Sequence, residues 1–200
     1  MNLKTPKDLA IQARKQGKTT VSYSQVNMYK NCPHQWKLTY IDKIRDFEPS
    51  MFLVFGTAMH EVLQKYIHTM YNETVVKADS LDLNTLLADT MKSEYKKAIE
   101  GLEGDHFSCQ EEMNDFYQDG VAIIEEFKRR RGQYFSKKNT ELLGIEIPIL
   151  CPTEDSDKIM LMGFADLVMK EGDRIKIYDI KTSMWGWKPK KKKNEGDQLR

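Results

Sequence analysis

Two apolar runs near the end of the chain carry charges that an ordinary strand would not hold. The first closes on Gly163-Phe164-Ala165-Asp166, and the second reads Ile175-Lys176-Ile177-Tyr178-Asp179-Ile180-Lys181-Thr182-Ser183. Side chains alternate faces along a strand, so Asp179 and Lys181 are predicted to point the same way. A carboxylate inside an apolar strand is costly unless something compensates it. Two of them on neighbouring strands, beside a lysine, suit a divalent cation facing a phosphate, and the carbonyl of Ile180 is a further oxygen donor. The bland alternative is a same-face ion pair at a strand end.

These runs belong to a strand region that begins near Thr140, where the apolar period changes from helical to alternating. Leu143, Ile145 and Ile147 alternate with Gly144 and Glu146 in a first strand, which Pro148 is expected to end. Glu146 is either an outer metal ligand or a residue of an exposed strand face. Lys158 to Met169 is a second strand, apolar on both faces and therefore expected to be central and covered. Glu171-Gly172-Asp173 is a hairpin turn, and Arg174 to Lys181 is the third strand.

Upstream the pattern is helical. Residues 1–21 read as a basic arm, a short helix or a solvated tail (Lys4, Lys7, Arg14, Lys15, Lys18). Ser22 with Gln25 fits a capping box for a helix with Val26 and Tyr29 on its inner stripe, and Ser24 is an alternative cap. Pro33 must break that helix near Asn31 and can start the next, which runs to Tyr40 with Trp36 and Tyr40 on one face. Phe52 to about Tyr71 is a helix on Phe55, Met59, Val62, Tyr66 and Met70. His60, Gly56 and Gln64 share another of its faces, and Gly56 leaves room for a close neighbour. Asp82 caps a helix through Glu100. Cys109 to Arg131 is a long helix whose closing Arg129-Arg130-Arg131 offsets the helix dipole.

Composition narrows the function. At 200 residues, 40 % apolar and 30 % charged, the chain is globular and fits one domain with a helical insertion over residues 73–138. The net charge of +1 means that a phosphate-binding surface must come from local clustering. Such a cluster is Lys188-Pro189-Lys190-Lys191-Lys192-Lys193, with Trp185 and Trp187 just before it. Solvated loop and phosphate contact are even readings for the lysines. Packing and base stacking compete for the tryptophans. Three cysteines with no paired spacing argue against a disulfide framework. No apolar run reaches the roughly 20 residues of a membrane span, and no signal peptide is apparent, so a cytoplasmic protein is expected. There is no phosphate-cradling glycine loop, no nucleophile elbow and no Cys/His zinc motif.

Gly-Phe-Ala-Asp followed by Tyr-Asp-Ile-Lys-Thr-Ser resembles the PD-(D/E)XK nuclease superfamily, in its RecB-like exonuclease branch. Ser22-Tyr23-Ser24 through Tyr29 to Cys32-Pro33 resembles the N-terminal helix of that branch. Phe55-Gly56-Thr57-Ala58-Met59-His60 resembles its glycine-to-histidine motif, and Gln198 stands where its glutamine motif is expected. Phage-encoded members are similar from Asp179 through Trp187, which admits a viral source and the host cytoplasm as compartment.

The resemblance implies an α/β (α+β) restriction-endonuclease-like core, a mixed central sheet flanked by helices. It implies that Asp166, Asp179 and His60 hold Mg²⁺ or Mn²⁺, that Lys181 is the catalytic lysine, and that Gln198 holds the substrate or that lysine. Lys190, Lys191, Lys192, Trp185 and Trp187 would then meet DNA. The implied reaction is hydrolysis of DNA, as a single strand or at a duplex end, by in-line attack of water leaving a 5′-phosphate and a 3′-hydroxyl. DNA repair, recombination or phage DNA metabolism is the expected setting, with a helicase or recombination protein as the kind of partner left open. The alternatives are a non-catalytic DNA-binding or assembly module that keeps the fold, and RNA as substrate. The branch has a tyrosine four residues after its glutamine, past Arg200, so either a chain cut short or an incomplete glutamine motif is expected. Some relatives hold an iron–sulfur cluster through a cysteine placed like Cys32 and three near the C-terminus. Those three are missing, so no cluster is expected, and Cys32 is read as a buried apolar residue.

Overall fold

The computed structural model describes residues 5–44, 48–100, 102, 105–135, 139–154 and 156–182. Its four strands form one mixed sheet. β1 (Thr19–Ser22) runs parallel to β3 (Ser156–Glu171), β2 (Thr140–Thr153) lies on the other side of β3, and β4 (Arg174–Tyr178) pairs antiparallel with β3. The mixed α/β architecture expected from the sequence is present. The chain divides into two compact units. Of the described residues, one comprises 5–44, 146–154 and 156–166, the other 48–100, 102, 105–135, 139–145 and 167–182.

In the first unit the basic arm is an ordered element. Helix α1 (Pro6–Lys15) opens on a reciprocal cap: the Asp8 amide donates to Thr5 Oγ1 at 3.2 Å and the Thr5 amide to Asp8 Oδ2 at 2.8 Å. Gly17, at φ 70°, closes it: the Lys18 amide donates to the Ala13 carbonyl and the Gly17 amide to that of Arg14. Leu9 and Ala13 are buried and α1 packs on β1, so a solvated tail is ruled out. The strand β1 itself escaped the sequence reading because four residues give too short a pattern. Ser22 then caps α2 (Tyr23–Asn31), accepting from the Gln25 amide at 3.3 Å. Cys32 is not a buried apolar residue; its sulfur accepts from the Gln35 amide at the start of α3 (Pro33–Trp36). The helix expected to reach Tyr40 continues instead as a π-helical turn, Lys37–Ile41. Tyr29, read as an inner-stripe residue, is 53 % exposed.

The second unit is built around α4 (Met51–Asn72), whose apolar residues face several neighbours at once. Helices α5 (Val75–Asp79), α6 (Leu83–Glu100) and α7 (Gln110–Tyr134) all pack on it. The segment read as an insertion therefore supplies the partners that bury α4, together with Leu167 and Met169 of β3. Asp82 caps α6 as expected, accepting from the Thr85 amide at 3.0 Å. α7 runs three residues past Arg131, which lies in its last turn as expected, with Arg129 and Arg130 just before it. Arg129 and Arg130 pair with Glu126, and Arg131 Nη2 donates to Asp79 Oδ2 at 2.8 Å. Gly120 lets α7 come close: a Cβ there would stand 2.5 Å from Leu87 Cδ2 and 3.1 Å from the Phe55 ring. Leu87 is wholly buried, so Gly120→Ala is expected to destabilise the protein by about 1–3 kcal/mol in urea unfolding, through overpacking.

Burial also sets the titration of two phenols in this unit. Tyr71 is pushed up to about 12, first by burial and then by neighbouring Tyr178 and Glu171. Tyr66 is raised further, first by burial and then by its hydrogen bond to Asp79, against the opposing field of Arg131. A raised folded-state value means that the neutral phenol's contribution is complete below the ordinary tyrosine value near 10, and is lost as pH rises through about 12 for Tyr71. Alkaline titration should therefore show phenolate absorbance in two phases, the second coinciding with loss of helical circular dichroism. A single phase near the ordinary value, with the fold retained, would contradict this burial.

Two strand boundaries and the burial of β3 differ from the sequence reading. Pro148 does not end β2, which continues to Thr153; β2 lies at the end of the strand order, and an edge strand tolerates the missing N–H. β3 is central as expected, but only Leu167, Val168 and Met169 are buried consecutively, and Ile159 and Leu161 are exposed. β4 stops at Tyr178, so Asp179 and Lys181 follow the strand instead of lying in it.

Candidate metal and nuclease site

Three local arrangements gather the residues singled out from the sequence. The first is on α4. His60 Nε2 donates to the Ile180 carbonyl at 2.6 Å. One turn earlier a Cβ on Gly56 would touch Thr182 Oγ1 at 3.4 Å. The neighbour anticipated at Gly56 is thus Thr182, in the segment that carries Asp179 and Lys181. Positions 56 and 60 share a helix face, so α4 holds this segment at two points four residues apart.

The second arrangement is the Asp179–Lys181 pair. Lys181 Nζ donates to Asp179 Oδ1 at 3.0 Å, and the side chains are 47 % and 51 % exposed respectively. The two charges do meet on one side, as alternation suggested, although β4 has already ended. Their exposure leaves both within reach of a polyanion.

The third is at the middle of the long strands. Glu146 and Asp166 are half-buried, and their carboxylates lie within 4.8 Å of each other. Glu146 has φ 50°, in the left-handed region. A non-glycine residue there within a strand is uncommon, and such backbone strain gathers at functional positions. Leu142 and Ile145 both pack on the core although three residues apart, so strict alternation is already broken before Glu146. Glu146 is half-buried rather than fully exposed. The sequence signal for it was the one that marked Asp166, a carboxylate between apolar strand residues, but the left-handed turn that re-aims it has no such signature.

Two carboxylates this close repel unless a cation or proton sits with them. Such hard carboxylate oxygens suit Mg²⁺ or Mn²⁺. Trp185, Trp187, Lys190, Lys191, Lys192 and Gln198 lie outside the described residues, as does the lysine run as a whole. Among the described residues, no helix is long and apolar enough to cross a membrane. The cysteines are free, Cys109 and Cys151 being exposed.

No curated protein matches the chain, and no solved structure matches it. Residues 20–200 match the family model of the PD-(D/E)XK nuclease superfamily. That match starts in β1, takes in the His60 helix and both aspartate-bearing segments, and runs to the last residue: the chain belongs to the PD-(D/E)XK nuclease superfamily.

Proposed function

We propose that the protein is a divalent-metal-dependent deoxyribonuclease of the RecB-like kind, acting from DNA ends. Nucleases of this superfamily depend on a divalent metal, and its members imply DNA as substrate. The observation that carries the reading is the approach of Glu146 to Asp166 within 4.8 Å, at a position where the backbone of Glu146 is left-handed. We assign Asp166, Asp179 and His60 as side-chain ligands, the Ile180 carbonyl as a backbone ligand, and Glu146 as an outer ligand. His60 Nε2 and the Ile180 oxygen already meet at 2.6 Å, so both would be at hand for the same ion. Mg²⁺ or Mn²⁺ bound there would activate water and offset phosphate charge.

The chain's own residues do the rest. His60 would hold the ion through Nε2 as the Nδ1–H tautomer, with the Nε2 lone pair turned to the metal in place of the N–H it now donates to the Ile180 carbonyl. Lys181, held by Asp179, presents an ammonium to the phosphate and stabilises charge that develops on its oxygens. Gln198 is assigned to holding the substrate or Lys181, and Lys190, Lys191, Lys192, Trp185 and Trp187 to DNA. A role in DNA repair, recombination or phage DNA metabolism follows from this reading.

Purified protein should shorten linear single-stranded or duplex DNA in Mg²⁺ or Mn²⁺, spare closed circles, and do neither in chelator. Cutting of circles would replace the exonuclease with an endonuclease, and cutting of RNA alone would replace the substrate. Binding of DNA without cleavage in either metal would make the chain a DNA-binding module that keeps the fold. His60→Ala should weaken Mn²⁺ binding by ~10–100-fold in calorimetric titration; wild-type affinity would remove His60 from the ligand set.

A further inference from the structure

Between Tyr23 and Ile41 the helices α2 and α3 and the π-helical turn bury none of their residues. The segment nevertheless carries a row of aromatic rings. Tyr29 meets Trp36 edge-on, with centroids 5.4 Å apart, and Trp36 meets Tyr40 at 6.3 Å with an interplanar angle of 35°. Each ring restrains the next, so the row is ordered before any ligand arrives, which lowers the entropy cost of binding. Lys30 follows Tyr29 and Lys37 follows Trp36, both exposed, and Lys37 is held by Asp42 at 3.0 Å. π-helical turns such as Lys37–Ile41 recur at functional sites.

Charge identifies the occupant. Residues 23–44 hold Lys30, Lys37 and Lys43 against Asp42 alone, and residues 5–22 hold Lys7, Arg14, Lys15 and Lys18 against Asp8 alone. A chain whose net charge is only +1 has thus concentrated cations on the stretch where Tyr29 is exposed and Trp36 and Tyr40 are half-buried. Bases in a duplex keep their faces stacked on each other. A single strand offers free π-faces beside its phosphates, and stacking on aromatic side chains accepts any base.

We propose that Tyr29, Trp36 and Tyr40 form a stacking platform for consecutive bases of single-stranded DNA, with Lys30 and Lys37 on its phosphates. The proposal rests on the nuclease reading above and adds where the unpaired strand is held.

The test is fluorescence anisotropy of a labelled oligothymidylate with the full chain in chelator, where no cleavage occurs. Tyr29→Ala should weaken binding about ten-fold and Tyr29→Phe should leave it near wild type, because the ring is what stacks. Lys30→Ala should reduce the salt dependence by roughly one phosphate contact. Bromodeoxyuridine crosslinking of the wild type provides a check that needs no variant, and should label peptides within residues 23–44. Wild-type affinity in Tyr29→Ala, or crosslinks confined to other segments, would overturn the platform. So would self-association that Tyr29→Ala abolishes without changing oligonucleotide affinity, which would make the rings a protein interface. Intact cleavage with Tyr29-independent binding would sink the platform alone. Tyr29-dependent binding with no cleavage in Mg²⁺ or Mn²⁺ would sink the nuclease reading alone.

Discussion

Replacing Asp179 or Lys181 with alanine is expected to lower Mg²⁺-dependent DNA cleavage on the order of 10³-fold while leaving the thermal midpoint nearly unchanged. The two halves of this expectation have separate physical grounds. The side chains are about half exposed and pair with each other at 3.0 Å, and such surface pairs contribute about 0–1 kcal/mol to stability. On the proposed function their cost falls on activity: one would remove an oxygen ligand, the other the ammonium that would meet developing charge. Because they act as a unit, the double variant should be little worse than either single one. Single-turnover cleavage of an end-labelled strand, beside a thermal melt, checks both halves. Cleavage at wild-type rates in either variant would place the chemistry elsewhere. A large drop in the midpoint would make the pair structural.

The largest expected effect on stability lies at Tyr66. Its side chain is fully buried, its ring meets Phe127 edge-on at 5.6 Å, and its hydroxyl donates to Asp79 Oδ1 at 2.7 Å. Arg131 Nη2 donates to the other oxygen of Asp79 at 2.8 Å, and Lys128 Nζ to the Asp79 carbonyl at 3.3 Å. One tyrosine thus fastens α4 to the end of α5 and to α7. Tyr66→Ala removes a large core ring and should cost about 3–5 kcal/mol. Tyr66→Phe keeps the ring and leaves Asp79 with Arg131, and should cost only about 1 kcal/mol. Urea unfolding separates the two. Equal losses would mean that the hydroxyl and not the ring dominates, and no loss in either would contradict the burial of α4.

The parts of this structure that could be read from the sequence are those with a long period or a fixed chemical cue. The α4 stripe repeats over six turns, Pro33 interrupts a helix by rule, and Asp82 and Ser22 cap helices with their own side chains. Short elements carry too few repeats, so β1 and α5 were missed. Alternation failed where the backbone departs from it: Glu146 turns left-handed, β2 runs through Pro148, and β4 ends before Asp179. Exposure was misjudged at Tyr29 and Cys32 for a related reason. Hydropathy says that a ring or a thiol can be buried, but whether anything covers it is decided by tertiary packing.

The candidate site was legible as residue types and order rather than as contacts. Asp166, Asp179, Lys181 and His60 stand out as charges or a lone imidazole on apolar elements. That Ile180 would meet His60, and Thr182 would fill the space at Gly56, depends on where the chain runs after β4, which no local pattern encodes.

The central claim is that this chain holds a catalytic divalent ion, and anomalous diffraction from crystals soaked in Mn²⁺ tests it most directly. Expected is a peak within ~2.0–2.3 Å of Asp166 and Asp179 carboxylate oxygens, His60 Nε2 and the Ile180 carbonyl, lost in Asp179→Ala crystals. A peak away from these residues, or none at saturating Mn²⁺, would contradict a metal-dependent nuclease centre built from them.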